Sequence, residues 1–174
     1  CGKGGAVFDL QKLGWLNGRW IRERLSPEEF RAAVADWARQ GDRLTRALDL
    51  AQTRITTFAD LPGLCGFVLE DDLGLTRADF EALKTGAEES LRILKAVQPT
   101  VDTLPDWDEE AIQAEIRRIA EEELGKKLRH VVPPLFLAMS GSTRSLPLFD
   151  SMAVLGRSVV RQRLRRAVEA IGKG

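Results

Sequence analysis

Ser26-Pro27-Glu28-Glu29-Phe30-Arg31-Ala32-Ala33-Val34-Ala35-Asp36-Trp37 is the stretch whose chemistry decides the fold class. The Ser26 side chain can accept from the amide of Glu29, and the Glu29 carboxylate can reach back to the Ser26 amide, a reciprocal capping box. Pro27 stands at the first helical position, where its missing N–H would have had no intrahelical partner. Behind this cap Phe30, Ala33, Val34 and Trp37 recur at spacings that gather them on one face of a helix, and Gln40-Gly41 closes it.

Outward from this helix the same period governs nearly every segment, and no run of alternating β-branched residues is bounded by hairpin turns. The chain reads as all-α. Upstream, Asp9 caps a helix through Leu10, Leu13, Leu16, Trp20 and Ile21. Downstream, a helix from about Asp42 uses Leu44, Ala47, Leu48 and Ala51, and should end in Thr53-Arg54-Ile55-Thr56-Thr57, where hydroxyls and β-branched residues compete with helical pairing. Asp60-Leu61-Pro62-Gly63 opens a short apolar element through Leu64, Phe67, Val68 and Leu69, and the acidic Glu70-Asp71-Asp72-Leu73-Gly74 reads as a domain boundary.

Thr76 with Asp79 starts what the spacing predicts to be one long helix through Phe80, Leu83, Ala87, Leu91, Leu94 and Val97, stopped near Pro99. Asp106, Asp108, Glu109 and Glu110 then load the start of a helix running to Gly125, a placement its dipole favours. An apolar helix over about 126–139 follows, with Pro133-Pro134 expected in its first turn or at a kink. A loop over 140–147, a short helix over 149–155, a hinge at Gly156 and a last helix from Arg157 complete the reading.

At 174 residues, 44% hydrophobic and 30% charged, the chain can bury the core of one domain or of two small ones sharing a boundary. No apolar run approaches the roughly twenty residues that span a bilayer, and the first residues do not pattern as a signal peptide, so no membrane association is expected. Cys1 and Cys65 form neither a disulfide framework nor a metal motif, and Cys65 among apolar neighbours reads as core, which fits a reducing cytoplasm. With His130 as the single histidine, no tyrosine and no Cys/His cluster, neither a catalytic residue nor a metal site is expected. Gly2-Lys3-Gly4-Gly5 lacks the full phosphate-loop pattern, and Glu70-Asp71-Asp72 reads as a solvated loop.

Lysine plus arginine and aspartate plus glutamate both number 26, but the signs are unevenly spread: residues 1–59 carry a net +3, 60–125 a net −11 and 126–174 a net +8. A chain polarised in this way can offer a basic face to a phosphate backbone, or its blocks can neutralise one another in the fold. Arg157, Arg161 and Arg165 line one face of the last helix, flanked by Arg163 and Arg166, with Val159, Val160, Leu164, Val168 and Ile171 opposite. This face is either phosphate-directed or simply solvated. The loop Ser140-Gly141-Ser142-Thr143-Arg144-Ser145 can present amides and hydroxyls to splayed bases, or serve as a plain turn. Gly18, a poor mid-helix residue between Trp15 and Trp20, suits close backbone approach to a partner or close packing equally well.

Taken together, Gly5-Ala6-Val7-Phe8-Asp9, Lys12-Leu13, Trp15-Leu16-Asn17-Gly18, Leu137-Ala138-Met139-Ser140-Gly141, the segment from Ser145 to Phe149, and Leu155-Gly156-Arg157 with Arg163-Leu164 resemble the bacterial glutamyl-tRNA synthetase family. The similarity covers essentially the whole chain, is strongest at its two ends and is weak over 76–128. The HIGH and KMSKS signatures that bind ATP in that family do not occur. The resemblance therefore implies a carboxy-terminal part that is not itself catalytic, with ATP and Mg belonging to a catalytic domain elsewhere and no cofactor held here. It implies a cytoplasmic monomer whose partner is tRNA(Glu). Residues 1–19 would end a stem-contact domain, 20–74 would form a first anticodon-binding helical subdomain and 75–174 a second.

The resemblance also implies residue roles. Trp15, Asn17 and Gly18 fall on the stem contact. Arg54 falls on the arginine facing the third anticodon base, cytosine in glutamate tRNA and guanine in glutamine tRNA. A guanidinium has only donors; cytosine offers O2 and N3 as acceptors, whereas guanine presents N1–H and N2–H, leaving donor against donor. Ser145, Leu148 and Phe136 match the segments that contact the other bases, and Arg157, Arg161 and Arg165 form the basic face. Three positions depart from the family pattern. Phe136 stands where relatives often carry a basic residue, and either stacks a base or belongs to the core. Leu146-Pro147 replaces Pro-Gly, and Trp20 replaces a frequent tyrosine. A helical protein-interaction module without tRNA specificity is the competing reading.

Overall fold

The computed structural model describes residues 10–40, 42–143 and 145–172, and for residues 10–14, 17 and 35–40 it describes the backbone alone. The Asp9 cap, the Gly2–Gly5 segment and the Gly41 stop lie outside the described residues. Two compact units divide the chain, Cys1–Gly41 and Asp42–Gly174. Among the described residues all regular structure is helical, as expected.

The first unit contains α1 (Leu10–Arg24) and α2 (Pro27–Gln40). The capping box forms as read: Ser26 N–H donates to Glu29 Oε2 at 2.8 Å and Glu29 N–H to Ser26 Oγ at 3.2 Å. These bonds favour the charged carboxylate and hold Glu29 below its ordinary pKa.

The second unit runs through α3 (Asp42–Gln52), a 3-10 turn over Phe58–Asp60, α4 (Leu61–Cys65), a second such turn over Gly66–Val68, α5 (Arg77–Glu81), α6 (Gly86–Val97), α7 (Thr100–Thr103), α8 (Glu109–Arg118), α9 (Leu128–Ser140) and α10 (Leu148–Gly172). One apolar cluster fills it, from Ala47 and Ala51 on α3 through Phe80, Ile93, Ile112, Leu135 and Met139 to Leu164 and Ile171 on α10. α10 packs against α9, α6, α8 and α3, so the last helix is the element around which the unit is built. Cys65 is buried as expected, and its Sγ lies 3.7 Å from the Ala47 carbonyl, tying α4 to α3.

Four expectations are corrected. The long helix proposed after Thr76 is two helices, because Gly86 adopts φ 69°, a left-handed conformation in which its N–H reaches the Leu83 carbonyl at 2.9 Å and ends the first segment. Its cap is as read: Asp79 accepts from the Thr76 amide and hydroxyl, both at 2.7 Å. Pro133 and Pro134 stand in the second turn of α9, not the first; Pro134 is buried and Pro133 half-buried. Leu16, Trp20, Phe30, Val34, Leu48 and Leu69, assigned to apolar faces, are exposed. Gly156 is the break that the sequence suggested, at φ 77° and ψ 160° inside α10, a region open essentially to glycine alone.

The fourth correction concerns Arg163, which does not flank an exposed face. It is only 4% exposed. Its Nη2 donates to the carbonyls of Phe67 at 2.5 Å and Glu70 at 2.7 Å, its Nη1 to the carbonyl of Met139, and its guanidinium lies 5.8 Å from the Phe67 ring centroid. Burial pulls its pKa down to about 10, still charged at neutral pH. One side chain of α10 thus holds the end of α9 and the start of the acidic connection, which Arg166 grips as well through the Asp71 carbonyl and, at 3.7 Å, the Asp72 carboxylate.

Replacing Arg163 by Met keeps much of the volume but orphans these carbonyls, and a lost charged hydrogen bond with its stranded partner is worth roughly 2–3 kcal/mol. Urea unfolding of Arg163→Met should show a loss of at least about that size, and Arg163→Lys, a point donor that cannot span the carbonyls, should not restore it. Wild-type stability in both variants would contradict the clamp.

Candidate nucleic-acid interface

Arg54 follows α3 directly. The helix ends because Arg54 N–H turns back to the Ala51 carbonyl at 2.8 Å, and the following threonines do not continue the helix. The Arg54 side chain is exposed, and its Nη1 donates to the Leu50 carbonyl at 2.9 Å and to Thr53 Oγ1 at 3.3 Å. No carboxylate among the described residues pairs with it. The guanidinium is therefore anchored through Nη1 at the end of its own helix, while its Nε and Nη2 make no hydrogen bond among the described residues.

The next residues form a rigid turn. One oxygen of Asp60 accepts from both Thr56 N–H (2.9 Å) and Thr57 N–H (2.8 Å), and Asp60 N–H donates to the Thr57 carbonyl at 3.1 Å. These bonds hold Asp60 below its ordinary pKa. The turn presents Phe58 with 84% of its surface exposed, the most among the large apolar side chains of the described residues. The sequence reading passed over Phe58 because it belongs to no apolar period. That exclusion was itself the available signal: an aromatic between Thr57 and Ala59, in a segment that cannot continue a helix, has no core to enter.

The second segment read as contacting bases lies on the same unit. Ser140 Oγ lies 2.9 Å from both the Phe136 and the Ser142 carbonyls, so its one proton donates to either of them at the start of the loop after α9. Ser145 Oγ reaches the Leu64 carbonyl on α4 at 3.3 Å. Through Leu64 the loop after α9 meets α4, which packs on α3, the helix that precedes Arg54. Leu148 is 4% exposed and belongs to the core, so its side chain supports the loop from beneath and offers no surface to a base. Phe136 is half-buried against the same core, leaving part of its ring at the surface.

The three arginines of the expected basic face divide. Arg157 is held by the Val101 carbonyl at 3.1 Å and the Pro105 carbonyl at 2.6 Å, over the Trp107 ring at 5.2 Å. Arg161 bonds Asp102 through Nε at 3.0 Å. Both tie α10 to α7 and the segment that follows it. Arg165 is well exposed and pairs only loosely, at 3.3 Å, with Glu169 one turn on. Beside α3, a shallow groove is lined by Asp49, Asp108, Glu109 and Asp150 against Arg46, and its carboxylates repel a phosphate backbone.

In the other unit, Trp15 and Trp20 are 57% and 54% exposed on α1, and Arg19 lies 5.5 Å over the Trp15 ring while pairing with Glu23 at 2.7 Å. Gly18 stands on the same helix, where a Cβ would meet the Arg22 guanidinium at 3.2 Å, a flexible end that can move aside. The side chain of Asn17 lies outside the described residues. Among the described residues no three His, Cys, Asp or Glu side chains are placed to hold a metal ion, and no helix is long and apolar enough to cross a membrane.

A family profile described as an anticodon binding domain matches residues 23–168. The chain is 59% identical over 169 residues to glutamate–tRNA ligase of Rhizobium leguminosarum bv. trifolii (strain WSM2304), covering 97% of this chain and 35% of that protein. It is likewise 59% identical over 169 residues to the same-named protein of Rhizobium johnstonii, covering 97% of this chain and 34% of that protein. Identity is 57% over 169 residues to that of Agrobacterium fabrum (strain C58 / ATCC 33970), covering 97% of this chain and 35% of that protein. The chain thus spans about a third of the length of the curated relatives it matches.

Leu148 and Ser145 differ in how they hold the loop, one by apolar packing and the other by a single hydrogen bond. Leu148→Ala should cost about 2–5 kcal/mol in thermal or urea unfolding, in the manner of other buried leucines. Ser145→Ala, which removes only the bond to the Leu64 carbonyl, should cost about 1 kcal/mol; a loss as large as that of Leu148→Ala would contradict this division.

Proposed function

Because the chain belongs to the anticodon binding domain family, we infer that it reads the anticodon of a transfer RNA, as the tRNA-selecting part of a glutamate–tRNA ligase. The observation that carries this reading is Arg54: an exposed guanidinium, oriented by the Leu50 carbonyl and free of carboxylate partners among the described residues. A cation placed for structure alone is normally paired or spread along a surface. This one is held through Nη1 alone, and its Nε and Nη2 make no hydrogen bond among the described residues, an arrangement that suits a base edge rich in acceptors.

In this reading residues 1–19 end a stem-contact region, with Trp15, Asn17 and Gly18 against the RNA stem. Residues 20–74 and 75–174 act as successive anticodon-binding subdomains. Arg54 donates to O2 and N3 of a third-position cytosine, where guanine presents N1–H and N2–H instead, which favours tRNA(Glu) over tRNA(Gln). Ser145 and the exposed part of Phe136 face the other bases, and Arg165 faces phosphate. Arg157 and Arg161 act indirectly, by fixing α10. The partition of α10 arginines is supported by their bonds to Val101, Pro105 and Asp102.

The ligation chemistry belongs to the remainder of a ligase of the relatives' length. That reaction draws on ATP and Mg, and no residue of this chain is assigned to either. The chain's own contribution is to position the tRNA and to reject the wrong one. Such a protein works in the cytoplasm as a monomer on tRNA(Glu).

The test is binding of the 174-residue chain to glutamate and glutamine tRNA transcripts at two salt concentrations, repeated with Arg54→Gln. A buried mismatch of donors costs about 1–3 kcal/mol, so a preference of roughly tenfold to a hundredfold for tRNA(Glu) is expected, falling toward unity in the variant. Affinity should drop steeply with salt for both tRNAs. Equal binding of the two tRNAs by the wild type would remove Arg54 as the discriminator, and salt-independent binding or none would contradict the anticodon reading itself.

A further inference from the structure

Phe58 has no structural use for its ring. It is 84% exposed, belongs to no cluster and contacts no cation at ring distance among the described residues. An exposed phenyl ring on a loose loop would be unremarkable, since single apolar residues are common on surfaces. This one is on a turn fixed at three points: Asp60 holds the amides of Thr56 and Thr57, and the Thr57 carbonyl accepts from Asp60 N–H. The bonds precede and follow Phe58, so its Cα direction is set before any partner arrives.

Arg54 is four residues upstream, fixed by its own bonds at the end of α3. The segment between them carries Thr53, Thr56 and Thr57, all exposed. The surface therefore combines a guanidinium, hydroxyls and an aromatic, and the Asp60 carboxylate that lies among them is engaged by the amides of Thr56 and Thr57. A protein partner would be expected to meet a wider apolar patch than one ring. A single unstacked base meets the requirement: it needs one flat apolar face to replace the lost neighbour in its own strand, and neighbouring polar groups for its edge and backbone.

We propose that Phe58 is a stacking platform for one unpaired base of the bound RNA, next to the base whose edge Arg54 reads. The inference rests on the anticodon reading above and adds a division of labour to it. Arg54 supplies selectivity through donors, while Phe58 supplies affinity that is largely indifferent to base identity, because every base has a π face. Fixing the ring in advance lowers the ordering cost on binding.

The test uses the 174-residue chain with an anticodon stem-loop RNA of glutamate tRNA, carrying 2-aminopurine at single positions of the loop in turn. Wild-type protein should change the fluorescence of at least one loop position on binding. Phe58→Leu should weaken binding by about tenfold to a hundredfold and abolish that change. Phe58→Trp should retain both affinity and signal, because stacking asks for an aromatic face and not for Phe itself. The salt dependence should be the same in all three proteins, since no phosphate contact is altered. Phe58 is so exposed that thermal unfolding of both variants should match wild type, which separates a contact from a packing role. Unchanged affinity and fluorescence in Phe58→Leu, with the wild type binding the stem-loop, would overturn the stacking proposal and leave the anticodon reading standing. Absence of stem-loop binding by the wild type at low salt would overturn both.

Discussion

The guanidinium of Arg163 is the constraint on which the second unit depends. A charged group only 4% exposed is tolerable when its hydrogens meet acceptors, and here the acceptors are carbonyls at helix and turn ends: Met139 near the end of α9, Glu70, and Phe67, which also accepts from Glu70 N–H at 3.3 Å. One donor group therefore binds two backbone ends and joins the last helix to a segment more than ninety residues earlier. Its Nε has no partner, so the arrangement is not fully satisfied, and the ring of Phe67 beside it offsets part of that cost.

The candidate interface follows from that joint. α4 leads into the clamped turn and is tied back to α3 by Cys65, so the end of α3 and the Arg54–Phe58 segment rest on a supported platform. On the other side, the loop after α9 begins where Arg163 holds Met139 and reaches α4 through Ser145. Two surface segments far apart in sequence thereby share one foundation, without any functional side chain being spent on the core. Arg157 and Arg161 repeat the same economy near α7, using cations of α10 to hold carbonyls and a carboxylate of the fold. Arg157, Arg161, Arg163 and Arg166 of the positive block thus bond to the fold itself, and Arg165 is the member of the expected face that pairs only with its own helix.

Much of this was legible in the sequence. The Ser26 box, the Thr76–Asp79 cap, the stop after Gln52 and the break at Gly156 each rest on local backbone chemistry, and local chemistry is what a sequence displays. The break at Gly86 was missed because the apolar period of Phe80, Ala87 and Leu94 runs across it; a glycine inside a period signals a left-handed turn only when its carbonyl partner is known. Arg163 could have been suspected. It is three residues after Val160 and four before Ala167, on the buried stripe of α10, where an arginine must have acceptors. Which carbonyls those are is set by a fold over nearly a hundred residues and is not encoded nearby. Leu148 shows the opposite limit: its place in a contact segment suggested a contact, while the structure uses its side chain to pack.

The central claim is that the Arg54–Phe58 segment and the loop after α9 form the RNA-facing surface of one clamped unit. Hydrogen-exchange mass spectrometry of the chain with and without the anticodon stem-loop tests it most directly, because exchange reports each segment separately. The account predicts slower exchange in residues 53–58 and 141–147 on binding, with α8 and its acidic groove unchanged. Protection concentrated on α8, or none in either segment while the RNA is bound, would contradict it.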